Sequence, residues 1–213
     1  MGAHRFRNNA AVTSSALLRR TVLLVAALNL GYFFVEASVA LAIGSVSLFA
    51  DSADFLEDTA INLLIAIALG WSVARQALVG RVMAGVLLVP AVAAGWQAWS
   101  KWGDPVAPAT TALWVTAAGA AMVNGLCAWL LVRVRTSGSS LGRAAFLSAR
   151  NDVLVNLAII AMAAVTAWTR SGWPDLVLGL VIIALAVHAA WEVWEVAGEE
   201  RLAARALAGE DVG

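Results

Sequence analysis

Between Gly44 and Leu64 the chain reads GSVSLFADSADFLEDTAINLL, which places Asp51, Asp54, Glu57 and Asp58 in an otherwise apolar run. At about 100° per residue, Asp51, Asp54 and Asp58 fall within about 60° of one another on a helix. Asn62 continues the stripe and Glu57 stands to one side. Carboxylates crowded on one face repel one another, and each loses solvation in apolar surroundings. A bound cation or proton relieves both penalties, so the stripe reads as a cation site.

The setting narrows the chemistry. Of 213 residues, 62% are hydrophobic and only 13% charged. A soluble domain of this size has too little interior to hide that much apolar surface, so the composition indicates a polytopic membrane protein. A formal net charge of zero argues against nucleic acid as a partner. The single cysteine, Cys127, excludes an intrachain disulfide and a cysteine-based metal site and reads as a packing residue. A charged carboxylate near a bilayer centre costs about 2.5 to 3.5 kcal/mol, so the stripe must look into protein or water rather than lipid.

Six apolar spans are expected to position these groups, at about 21–43, 46–73, 82–100, 110–132, 142–168 and 174–196. Residues 1–20, with Arg5, Arg7, Arg19 and Arg20 and no acid, suit a cytoplasmic N-terminal segment. The apolar stretch that follows is too long for a typical signal-peptide core. It carries Asn29 and Glu36, whose seven-residue spacing puts them on one helical face. The third span ends in GWQAWSKW, the usual dressing of a membrane interface, and Pro105 and Pro108 stop any helix in the next loop. Span four holds Asn124. Residues 198–213 form a short polar tail, and no phosphate loop or nucleophile-and-base pair indicates an enzyme.

Span five contains the second polar cluster, SARNDVLVN, in which Ser148, Asn151, Asp152 and Asn156 share one broad face while Arg150 points away. At about 1.5 Å per residue, Asp54 and Asp58 lie roughly 15 to 21 Å into span two. On the same rise, residues 148–152 lie roughly 9 to 15 Å into span five from the other side, so the clusters can meet in a core about 30 Å thick. Asn29, Asn124 and Asn156 equally suit plain hydrogen bonding between helices. Asp51 is either part of the site or a water-exposed residue at its mouth. His188 reads as structural and Glu192, Glu195, Glu199 and Glu200 as a solvated helix end.

The run NLGYFFVEASVALAIGSVSLFADSADFLEDTAINLL, followed by RNDVLVN, resembles the cation diffusion facilitator family of divalent-metal efflux transporters over roughly residues 18–197. Asn29, Glu36, Gly44, Ser45, Ala50, Asp51, Asp54 and Asp58 match in order and spacing that family's Asn and Glu of the first span, its Gly-Ser and Ala-Asp, and its His- or Asp-x-x-x-Asp pair. The resemblance implies that Asp54 and Asp58 bind metal together with a His- or Asp-x-x-x-Asp pair in span five. Asp152 matches the last residue of that pair, but Ser148 stands where His or Asp would be. The fourth ligand is thus open between Ser148 and Asn151.

The expected fold is an all-α membrane protein, a six-transmembrane-helix bundle like that of the cation diffusion facilitators, without their C-terminal cytoplasmic domain. The expected units are a cytoplasmic segment 1–20, a transporter domain 21–197 and a short cytoplasmic tail 198–213. The expected function is export of a divalent cation (Zn, Mn, Fe, Co or Cd) across the cell (inner) membrane in exchange for protons. No prosthetic group is expected. Expected partners are the ion, protons, the lipid bilayer and a second copy in a homodimer formed through membrane helices. The expected metal residues are Asp51, Asp54, Asp58 and Asp152, with Ser148 or Asn151. The alternative is a transport-inactive membrane subunit or metal sensor that retains the fold.

With both termini inside, the inner segments collect Arg5, Arg7, Arg19, Arg20, Arg75, Arg81, Arg133, Arg135, Arg143, Arg201 and Arg205, against Lys101 and Arg170 outside. Thr136→Cys and Ala107→Cys, each in a Cys127→Ala background, should therefore differ in reactivity toward an impermeant thiol reagent on intact cells. Ala107→Cys is expected to label and Thr136→Cys is not. Labelling of the second from outside would invert the topology.

Overall fold

The computed structural model describes residues 2–68, 73–135 and 140–207, with side chains described mainly over 16–67, 88–132 and 149–188. All secondary structure among these residues is helical: α1 (Gly2–Ile43), α2 (Val46–Ala68), α3 (Val73–Lys101), α4 (Thr110–Arg135), α5 (Ser140–Thr169) and α6 (Trp173–Leu207). Three stretches are long and apolar enough to cross a membrane: Ala16–Ile43, Thr110–Val132 and Ala149–Thr169. Trp173–His188 is a shorter apolar stretch of the same kind.

Five of the expected spans each fall within one helix, whereas the second, 46–73, takes in α2 to Ala68, residues outside the described ones and the first residue of α3, and several helices run past the span's ends. α1 begins at Gly2, α3 at Val73, and α6 continues to Leu207. Hydropathy marks only the apolar part of a helix, whereas Glu, Arg, Ala and Leu, as in EERLAARAL, carry the helix onward because they lose little rotamer freedom in it. Thr136 and the tail beyond Leu207 lie outside the described residues. The side chains of residues 1–15, Arg75, Arg81, Arg133, Arg135, Arg143, Arg201 and Arg205 do so as well.

The bundle is apolar outside and polar within. Phe34, Leu41, Val115, Met122, Leu154 and Trp168 are exposed, while Asn29, Glu36, Asp51, Asp58, Asn62 and Asn156 are buried. That distribution suits a lipid solvent, which offers polar groups nothing to bond. Trp96, Trp99 and Trp102 at the end of α3, Trp114 at the start of α4, Trp168 at the end of α5 and Trp173 at the start of α6 all stand exposed at one end of the bundle. Trp102 and Trp173 meet edge to face at 5.5 Å.

α2 is the central helix, packed against α1, α3, α5 and α6, while α4 packs on α1 and α5. One apolar core, around Val22, Val25, Ile65, Cys127, Leu131 and Ala149, lies toward the end where α1 begins. A second, around Ala40, Leu48, Ala94, Leu113, Ile159 and Ile182, lies toward the Trp-rich end. Asn29 and Glu36 on α1, Asp51, Asp58 and Asn62 on α2 and Asn156 on α5 fall between the two.

The start of α2 is fixed by other elements. Gly44 takes the left-handed conformation (φ 70°) that ends α1, and the Ser45 N–H returns to the Ala40 carbonyl at 3.0 Å. The Lys101 Nζ donates to the Gly44 carbonyl. Burial pulls the Lys101 ammonium below the usual lysine range, an effect the Asp175 carboxylate opposes. Ser45 is the N-cap of α2, its Oγ accepting the Leu48 N–H at 3.1 Å. Asp175, from the first turn of α6, accepts the N–H of Val46 (2.7 Å) and of Ser47 (3.3 Å) and the hydroxyls of Ser45 (2.7 Å) and Ser47 (2.6 Å). A carboxylate at this helix start also meets the positive end of its dipole. One turn further, a Cβ on Gly179 would stand 2.6 Å from Val46 Cγ1 and 2.9 Å from the Ser47 nitrogen, so only glycine admits this approach.

Asp175→Ala removes one acceptor from four buried donors and should cost roughly 2 to 4 kcal/mol of stability. A lowered melting midpoint of the detergent-purified protein is the expected reading, with Asp175→Asn falling between. An unchanged midpoint would mean that α6 does not hold the start of α2.

Candidate metal centre

α2 presents Asp51, Asp54, Glu57 and Asp58 to the interior, and α1 and α5 face them with Asn29, Glu36, Asp152 and Asn156. The Asp58 carboxylate is 4% exposed, and its Oδ2 accepts the Asn29 Nδ2 at 3.2 Å. The Cys127 thiol donates to Asn29 Oδ1 at 3.5 Å, which turns the amide nitrogen toward Asp58. Cys127, expected to pack, thus also belongs to the polar layer's support.

Asp54 lies within electrostatic reach of Asp51, Asp152, Glu57 and Asp58. Asp152 in turn feels Asp58, Asp51 and Glu57. The second and fifth helices therefore bring their acids together, as the depth argument requires. Two unit charges about 4 Å apart repel by about 4 kcal/mol at an effective dielectric of about 20, so such a group favours whatever lowers its charge. Among the described residues no three Asp, Glu, His or Cys side chains stand close enough together to hold a metal ion. The acids converge without closing around a point.

Arg150 is exposed on α5, and its Nη2 donates to the Asn151 Oδ1 at 3.4 Å. Asn151 is itself exposed and turned toward Arg150, away from the acids. Ser148 lies on α5, but its side chain is outside the described residues. Asp51 is 1% exposed, which makes it an interior residue and not a water-exposed mouth.

Two features escaped the sequence reading. Glu36 is fully buried beside Asp51, both stand near Asn156, and no carboxylate oxygen of the two accepts a hydrogen bond of ordinary geometry. The signal was the equal seven-residue step from Asn29 to Glu36 and from Asp51 to Asp58. On antiparallel helices that match brings Asn29 opposite Asp58 and Glu36 opposite Asp51. The second feature is the spent donor capacity of the asparagines: Asn62 Nδ2 donates to the Asp58 carbonyl at 2.8 Å and Asn156 Nδ2 to the Asp152 carbonyl at 2.9 Å.

Compared with known proteins, the chain matches no family model and no curated protein.

Proposed function

We propose that the protein is a six-span transporter of the cation diffusion facilitator kind that exports a divalent cation from the cell in exchange for protons. One observation carries this reading: Asp54 and Asp58 of α2 and Asp152 of α5 lie within electrostatic reach of one another in the bundle interior. Acids gathered from two helices inside a membrane bundle are suited to an ion that comes and goes.

Asp54, Asp58 and Asp152 supply the ligand charge and Asn29 orients Asp58. The turn of Asn151 toward Arg150 favours Ser148 as the fourth ligand. Protons and metal compete for one set of oxygens, so release of the ion is coupled to proton uptake. Opening the bundle at one apolar core and then the other exposes the polar layer to the two sides in turn. The transporter sits in the cell (inner) membrane with both termini cytoplasmic, and exposed apolar helix faces offer a surface for a homodimer.

The second reading, a transport-inactive subunit or metal sensor, draws on the open geometry of the acids. Flux into proteoliposomes that contain only this chain separates the two, since the second reading requires none. Asp58→Asn and Asp152→Asn should each reduce transport roughly tenfold or more, because each removes a ligand charge from a divalent site. Wild-type flux in both variants would place the site elsewhere.

Selectivity gives an independent test. A shell of oxygens discriminates weakly for zinc, which gains from imidazole, whereas manganese and iron(II) accept oxygen alone. Ser148→His should raise zinc affinity relative to manganese. The added affinity should fall away as pH drops through about 6 to 7, because the ligand must be neutral. Competition binding on purified wild type and Ser148→His measures the ratio, and an unchanged ratio would mean that position 148 does not face the metal.

A further inference from the structure

We propose that Glu36, Asp51 and Asn156 form a second cation site, nearer the Trp-rich end of the bundle, that takes a hard divalent ion. Along α2, Asp51 lies about 10 Å from Asp58 and about 4.5 Å from Asp54, so the two sites are neighbours on that helix.

The case rests on oxygens without partners. Both carboxylate oxygens of Glu36, both of Asp51 and the Oδ1 of Asn156 are buried and accept no hydrogen bond. The three residues are 0%, 1% and 0% exposed, and they come from three different helices. Glu36 lies against Asp51, and Asp51 faces Asn156. Interiors rarely leave polar atoms unpaired, and a cluster of unpaired acceptors is the complement of a cation. The neighbouring donors are committed elsewhere. The Tyr32 hydroxyl, one turn before Glu36, donates to the Thr116 carbonyl at 2.6 Å. Asn156 Nδ2 donates to the Asp152 carbonyl at 2.9 Å and Asn29 Nδ2 to Asp58 at 3.2 Å.

The donor set fixes the ion's chemistry. Two carboxylates balance one divalent charge, and carboxylate and amide oxygens with no nitrogen or sulfur suit manganese or magnesium better than zinc or copper. The ion would rest there between the Asp54, Asp58 and Asp152 group and the Trp-rich end. This role as a resting point relies on the transport reading, whereas the existence of the site does not.

Equilibrium binding of Mn²⁺, read by electron paramagnetic resonance on the detergent-purified full chain at neutral pH, tests the proposal. Wild type is expected to bind two ions, Glu36→Gln one, and Asp152→Asn one. Asp51→Asn provides a second variant should Glu36→Gln fail to elute as a folded species. Binding of a single ion by wild type, or unchanged stoichiometry in the folded Glu36 or Asp51 variant, would overturn the proposal and leave a shared proton as the occupant. Loss of both ions in Glu36→Gln would also overturn it, since one merged site would remain. The Asp152→Asn result speaks separately: two ions still bound there would remove the transport ligand set while leaving the Glu36 site standing.

Discussion

A helix with three carboxylates on one face cannot turn that face to lipid, and the arrangement of this bundle follows from that constraint. α2 carries the acids and is accordingly the helix with the most neighbours, packed by α1, α3, α5 and α6. The surrounding helices can afford apolar outer faces because their own polar residues, Asn29, Glu36, Asp152 and Asn156, point inward to the same layer. Dispersion contacts then close the bundle on either side of that layer through small and branched residues, among them Val25 and Ala149 toward one end and Ala40 and Ile159 toward the other. Asn29, Glu36, Asp51, Asp58 and Asn156 are buried between those cores, and a second buried polar group gathers around Asp175 at the start of α2.

Holding that depth requires a fixed register, because sliding α2 by one residue would turn each acid by about 100°. The register is set at the joint between α1 and α2, where Gly44 ends one helix and Ser45 caps the next. Asp175 then gathers the first amide groups and hydroxyls of α2, and the bare Cα of Gly179 lets α6 approach closely enough to do so. The acids of α2 begin only two turns from this clamp. Support at the joint is thus support for the geometry of Asp51 and, through a rigid helix, of Asp54 and Asp58.

The stripe of Asp51, Asp54 and Asp58 was legible in the sequence because helical periodicity alone decides which residues share a face, and the six helices because apolar stretches are long relative to loops. Helix ends were not, since EERLAARAL is helical without being apolar. On α5 the expected polar face was about 140° wide at about 100° per residue, more than one neighbouring helix covers, so Asp152 turns inward while Asn151 turns out to Arg150. Asp175 could be read as an acid in a first helical turn and nothing more. Its partners stand up to 130 residues away in the chain, beyond the reach of any local pattern.

The polar layer is marked by a mismatch between donors and acceptors as much as by the number of its acids. Asn62 and Asn156 spend an amide nitrogen on the carbonyl four residues back, and Tyr32 spends its hydroxyl on α4. Asn29 donates to Asp58, and it is held in that orientation by Cys127. What remains is a buried surplus of acceptor oxygens on Glu36, Asp51, Asn62 and Asn156. A proton or a cation is the chemical complement of such a surplus.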